Sequence, residues 1–132
     1  MPYLLDTDWL IDYLEDEPDA KRLVEQLLGE GVTISTVSYM EAFEGLLTRT
    51  SALQAHSTMT RFLAGAVIIP LSTDIAARCA PVRMELRRSN RRVNQRALDL
   101  IIAATALEHD LTLVTRNTHD FDDVPNLKLY PT

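Results

Sequence analysis

Short apolar runs alternate with longer amphipathic stretches along the chain. Pro2–Asp6 is apolar and closed by an acid, and Thr7 then stands at an N-cap position ahead of Leu10, Tyr13 and Leu14 at helical spacing. This predicts a strand followed by a helix. A second helix is expected after Pro18, with Leu23, Leu27 and Leu28 on its buried face and a stop at Gly29 and Gly31. Val32–Ser35 reads as a strand, a helix carrying Glu41 begins at Ser38, another helix covers about 51–64, and Ala66–Ile69 before Pro70 is a third strand. Ser72 or Thr73 caps a helix running toward Arg88, which Pro81 should kink or break by removing a backbone donor. Residues 97–109 are apolar on nearly every face and rich in alanine, as suits a helix packed closely between a sheet and another helix. Leu111–Thr115 is a further strand, and Leu127–Tyr130 is a last, edge strand.

Strands alternating with helices or helix pairs point to an α/β fold of three layers, α/β/α, with a central, mostly parallel sheet. The length of 132 residues, without repeat or linker, predicts one domain over 1–132. In such open sheets ligands bind beyond the carboxyl ends of the strands.

Composition narrows this little: 46% hydrophobic and 24% charged residues are ordinary for a soluble domain. The single Cys79 excludes an internal disulfide and a Cys-based zinc site. Asp6, Asp8 and Asp12 stand where a signal peptide would be basic and then apolar, and no run approaches a membrane span, so a soluble cytoplasmic protein without membrane contact is expected. Charge is more informative in its distribution than in its net value of −6. Residues 1–44 hold 11 acidic and 2 basic side chains, net −9, whereas residues 45–132 hold 8 and 11, net +3. Six of the 13 cations, Arg83, Arg87, Arg88, Arg91, Arg92 and Arg96, fall within 14 residues. They read either as a solvated helix face or as a patch that contacts phosphates.

The rule about strand ends directs attention to the acids. Asp6 closes the first strand. Glu41 follows the second, where Ser38-x-x-Glu41 also fits a capping box. Asp99 lies within the apolar stretch Leu98–Leu107, where an uncompensated carboxylate would be costly, and it calls for a helix N-terminus or a cation. After the fourth strand, Asn117 and Asp120 add oxygen donors. Carboxylates without Cys or clustered His specify a hard cation, Mg²⁺ or Mn²⁺, which activates water and stabilises charge during attack on a phosphodiester. His56, His109 and His119 are widely spaced, and the scattered glycines form no phosphate-cradling loop.

Tyr3-Leu4-Leu5-Asp6-Thr7-Asp8, Ser38-x-x-Glu41, the segment Leu98–Ala106 around Asp99, and Leu113-Val114-Thr115-Arg116-Asn117 through Asp120-Phe121 together resemble the PIN domain, specifically the VapC toxins of bacterial toxin–antitoxin pairs. The resemblance spans nearly the whole chain in order. It implies a PIN-like α/β/α domain, a metal-dependent endoribonuclease acting on an RNA substrate, a homodimer, and a small cognate antitoxin as inhibitor. It implies Asp6 and Asp99 as principal metal ligands, Glu41 as a ligand or the residue orienting the attacking water, and Thr115 as a support for Asp6. Asn117 departs from the acid that the family often has there, which leaves Asn117 or Asp120 to complete the site. With RNA as substrate, Arg87, Arg88, Arg91 and Arg92 become the expected backbone contacts. The acidic crevice would attract an antitoxin Arg or Lys, with Trp9, Leu10 and Tyr13 as candidate apolar anchors. A haloacid-dehalogenase-like phosphatase, with Asp122-Asp123 as its late acid pair, and a receiver-like signalling module share parts of the pattern but fit it less well.

Overall fold

The computed structural model describes residues 2–131. Its elements in order are β1 (Tyr3–Leu5), α1 (Thr7–Leu14), α2 (Pro18–Leu28), β2 (Val32–Ser35), α3 (Thr36–Leu47), α4 (Ala52–Leu63), β3 (Val67–Ile69), α5 (Thr73–Arg88), α6 (Ala97–Glu108), β4 (Thr112–Val114) and β5 (Lys128–Leu129). A single 3₁₀ turn, Thr118–Asp120, lies between the last two strands. All four strand pairs are parallel, in the order β3-β2-β1-β4-β5, so the sheet is wholly rather than mostly parallel. Among the described residues no helix is long and apolar enough to cross a membrane.

Strand alternation divides the core in two. Leu4 and Leu113 point into a cluster with Ile75, Cys79, Leu100, Ile102 and Phe121, beneath α5 and α6. Their neighbours Leu5 and Val114 point to the opposite face, onto Leu10, Val24, Leu27, Ala42 and Met59 from α1 to α4. Trp9 and Leu10 belong to this second cluster, at 7% and 0% exposed, and half-buried Tyr13 packs edge-on against Phe62. They are core, which removes them as exposed anchors for a partner. On α2 the fully buried positions are Ala20, Val24 and Leu27, while Leu23 and Leu28 are half-buried.

Several local readings are corrected. The N-cap of α1 is Asp6, whose Oδ1 accepts the Thr7 N–H at 2.8 Å, and the Thr7 side chain is spent elsewhere. Ser35, not Ser38, caps α3, accepting the Ser38 N–H at 3.0 Å. Ser38 and Glu41 therefore lie inside the helix and form no capping box. Ser72 caps α5, accepting the Ile75 N–H at 3.1 Å. That helix also runs unbroken through Pro81. Both Pro81 and Ala77 are exposed, so the carbonyl that loses its donor faces water, and packing along α6 holds the helix together.

The connectivity locates the site. From β1 the chain steps outward to β2 and β3, then returns to place β4 and β5 on the other side of β1. Connections thus leave β1 and β4 in opposite directions and open a crevice at their carboxyl ends.

Candidate active site

Asp6 lies immediately past β1, where its backbone N–H donates to the Val114 carbonyl at 2.9 Å and fixes it against β4. The side chain is 5% exposed. Its Oδ1 accepts from Thr7 N, and its Oδ2 accepts the Thr115 hydroxyl at 2.6 Å. Thr115 in turn accepts the Asn117 N–H at 3.0 Å, which sets the course of the chain leaving β4. The Thr7 hydroxyl lies 2.7 Å from Glu41 Oε1 and 2.9 Å from Ser38 Oγ, so α1 and α3 are joined beside Asp6. Asp99 stands in the first turn of α6, where backbone amides favour a negative charge. Asn117 donates its side-chain N–H to Asp8 Oδ2 at 2.6 Å.

These side chains enclose one cavity of about 100 Å³, lined by Asp6, Thr7, Asp8, Glu41, Asp99, Asn117, Asp120 and Phe121. It brings together all the acids expected at the strand ends, with Asn117. Thr115 stands behind Asp6, outside the lining. Asp8 is the lining acid to which the sequence reading gave no role at the site. Its signal was its place two residues after Asp6, on the first turn of the helix that Asp6 caps.

Five carboxylates and no cation line this cavity. Burial pushes the Asp6 carboxyl up to about 6, against the lowering effect of its bonds to Thr115 and Thr7, with Asp99 and Asp8 adding repulsion. Asp99 is also raised, first by burial and then by Asp120 and Glu41. The donors are all oxygen, and the space suits a small hard cation with part of its water shell. Among the described residues no three acidic, His or Cys side chains are drawn together closely enough to hold a metal ion by themselves. The residues present fit Mg²⁺ or Mn²⁺.

Arg87, Arg88, Arg91 and Arg92 are exposed, on the last turn of α5 and the loop that follows. Arg88 approaches Glu85 at 3.9 Å and Arg91 approaches Asp123 at 3.6 Å, while Arg87 and Arg92 form no ion pair among the described residues. A groove of about 470 Å³ and mixed charge, lined by the cations Arg91, Arg92 and Arg96 and by the anions Asp122 and Asp123, reaches Asp120, which it shares with the acidic cavity. His56, His109 and His119 are all exposed and spaced apart in the chain. Asp122 and Asp123 lie outside the cavity, and Asp99 sits on a helix rather than at a strand end, so neither the phosphatase nor the receiver pattern is present.

The PIN domain family pattern matches residues 3–127. Ribonuclease VapC19 of Mycobacterium tuberculosis is 32% identical over 127 residues, covering 95% of this chain and 96% of that protein. Ribonuclease VapC2 of Rickettsia felis is 29% identical over 131 residues, covering 98% and 96%. A chain of the VapBC2 crystal structure from Rickettsia felis, bound to a DNA fragment from its promoter, superposes with a TM-score of 0.85 at 28% identity, covering 98% of each. The sheet order, the acids gathered at its carboxyl edge and these end-to-end similarities agree: the chain belongs to the PIN domain family, among the VapC ribonucleases.

Proposed function

We infer that the chain is the toxin of a toxin–antitoxin pair and acts as a metal-dependent endoribonuclease, hydrolysing RNA phosphodiester bonds at the acidic cavity. The observation that carries this reading is the enclosure of Asp6, Asp8, Glu41, Asp99 and Asp120 around one small cavity without a cationic side chain. Asp6 and Asp99 would hold Mg²⁺ or Mn²⁺, with Glu41 as a further ligand and Asn117 or Asp120 completing the set. Such an ion, when bound, supplies Lewis-acid activation of water and neutralises charge developing on the phosphate. The chain's own groups prepare the site. Thr115 holds Oδ2 of Asp6 in one direction, and the amide of Thr7 holds Oδ1. Thr7 also fixes one oxygen of Glu41, leaving the other to orient water toward the phosphorus. Arg91 and Arg92, on the groove that reaches Asp120, with Arg87 on the adjoining surface pocket and Arg88 near it in the chain, would bind RNA backbone.

The experiment is incubation of the purified protein with total RNA in Mg²⁺, in Mn²⁺ and in chelator. Cleavage in either metal and none in chelator is expected. Full cleavage in chelator contradicts the reading.

The partner follows from the same site. A cognate antitoxin that places an Arg in the cavity would satisfy its carboxylates through bidentate bonds and block the metal and RNA together. Antitoxin affinity should then fall as Mg²⁺ is raised at constant ionic strength, and unchanged affinity would move inhibition to another surface. Homodimerisation belongs to this reading as well, supported by an apolar groove of about 510 Å³ along α5 and α6 that includes Leu71, Met84 and Ile101. Sedimentation of the isolated chain checks it, with a monomer at all concentrations as the contrary result.

A further inference from the structure

Arg96 belongs by position to the run of exposed arginines, yet its side chain is turned inward and only 18% exposed. Its guanidinium grips Asp123 with both arms, Nη2 to Oδ1 at 2.7 Å and Nη1 to Oδ2 at 2.9 Å. Nη2 also donates to the Asp120 carbonyl at 2.8 Å, and Nη1 reaches the Arg91 carbonyl at 3.4 Å. Asp123 is itself 16% exposed. Arg96 is the N-cap residue of α6, and Asp99 follows three residues later. One side chain therefore ties the first turn of α6 to the loop after β4, and each of the two pieces contributes an acid to the cavity.

We propose that Arg96 is a positioning residue of the nuclease site, a clamp that holds Asp120 opposite Asp99 through the Asp120 carbonyl and the Asp123 carboxylate. The inference rests on the metal-dependent nuclease reading above. Like charges on Asp99 and Asp120 drive the loop and the helix apart, and in α6 itself no side-chain hydrogen bond caps the first turn to hold it in place. The planar fork suits the task because two parallel bonds fix direction as well as distance, and a third bond engages main chain. A lysine ammonium can hold Asp123 or the carbonyl as a point charge but cannot reproduce the fork. Because its donors are already directed inward, Arg96 is set apart from the arginines assigned to RNA.

The test compares wild type, Arg96→Lys, Asp123→Asn and Asp120→Asn by kcat and KM on a defined RNA oligonucleotide, and by amide hydrogen exchange over residues 118–123. Arg96→Lys should lower kcat by about 10- to 100-fold, the scale of a displacement of about 1 Å in a reacting group. KM should stay within about twofold, and exchange over 118–123 should quicken while the rest of the sheet stays protected. Asp123→Asn should move the same quantities in the same direction, and it carries the test alone if Arg96→Lys does not fold. Neither loss should exceed that of Asp120→Asn, since the clamp acts through that segment. Unchanged exchange over 118–123, a kcat equal to wild type, or a loss greater than that of Asp120→Asn overturns the proposal. So does a raised KM with the log–log salt slope of RNA binding reduced by about 0.7, which would make Arg96 a phosphate contact. A wild-type protein that cleaves no RNA counts against the nuclease reading instead, and the exchange measurement then still decides whether the clamp exists.

Discussion

At the scale of single residues, Asp6 carries the largest conflict between folding and chemistry. It is buried, caps α1, and takes bonds from Thr7 and Thr115, yet its carboxyl is pushed up to about 6 by burial and by acidic neighbours. In the metal-free protein the folded state therefore holds this proton over a range in which the unfolded chain, at about 3.8, has released it. Folded protein binds more protons than unfolded between about pH 4 and 6, so stability contributed by the protonated form falls as pH rises through that window and levels off above it. The burden at neutral pH is on the order of 3 kcal/mol. We predict that Asp6→Asn removes most of the decline between pH 4 and 6 and stabilises the metal-free protein at pH 8 by about 1–3 kcal/mol, less what is lost where the amide cannot match two acceptor oxygens. Urea midpoints in chelator across pH 4 to 8 measure this, and a variant with the wild-type pH profile would show that Asp6 is not the group responsible. Asp6 was legible in sequence because it ends an apolar run. Asp8 was not, because a carboxylate in a helix's first turn has a sufficient local explanation.

At the scale of elements, the order and type of strands and helices were readable from spacing, since the strands are short and β1, β2 and β3 are each followed by a helical period. What misled was punctuation. Asp16, Asn90 and Asp110 adopt positive φ of 62°, 59° and 54° immediately after α1, α5 and α6. In each case two backbone bonds close the end of the helix, as in Asn90 N–H to the Arg87 carbonyl and Arg91 N–H to the Leu86 carbonyl, both 3.0 Å. These three helix stops are made by Asp and Asn, which tolerate the left-handed region through short polar side chains, whereas α2 stops at Gly29 and Gly31 as its sequence predicts. The same local ambiguity misplaced the start of α3, because Ser35 and Ser38 both precede the apolar run and only packing against β2 decides between them. Asn90 offers a clean test, being exposed and without a side-chain partner among those described. Asn90→Gly should stabilise the fold by about 0.5–1 kcal/mol in chemical denaturation. A destabilised variant would mean that the Asn side chain, rather than the backbone turn, closes α5.

At the scale of the whole molecule, the chain divides its charge between two tasks. The net −9 of residues 1–44 supplies Asp6, Asp8 and Glu41 to the acidic cavity, and the net +3 of the remainder places arginines around the neighbouring groove. Within the arginine run Arg96 is internal and Arg91 shares Asp123, whereas Arg87 and Arg92 form no ion pair among the described residues. Replacing Arg87 and Arg92 by Gln should weaken single-stranded RNA binding and reduce its log–log salt slope by about 1.4, at about 0.7 for each phosphate contact. An unaltered slope returns both to the solvated surface. The central claim remains that hydrolysis takes place at the carboxyl edge of β1 and β4. The measurement that bears on it most directly is cleavage of one defined RNA in Mn²⁺ by wild type, Asp6→Asn and Asp99→Asn, with circular dichroism establishing that all three are folded. The account predicts cleavage by wild type and a loss of at least about a hundredfold in both folded variants. Wild-type rates in either folded variant would contradict it.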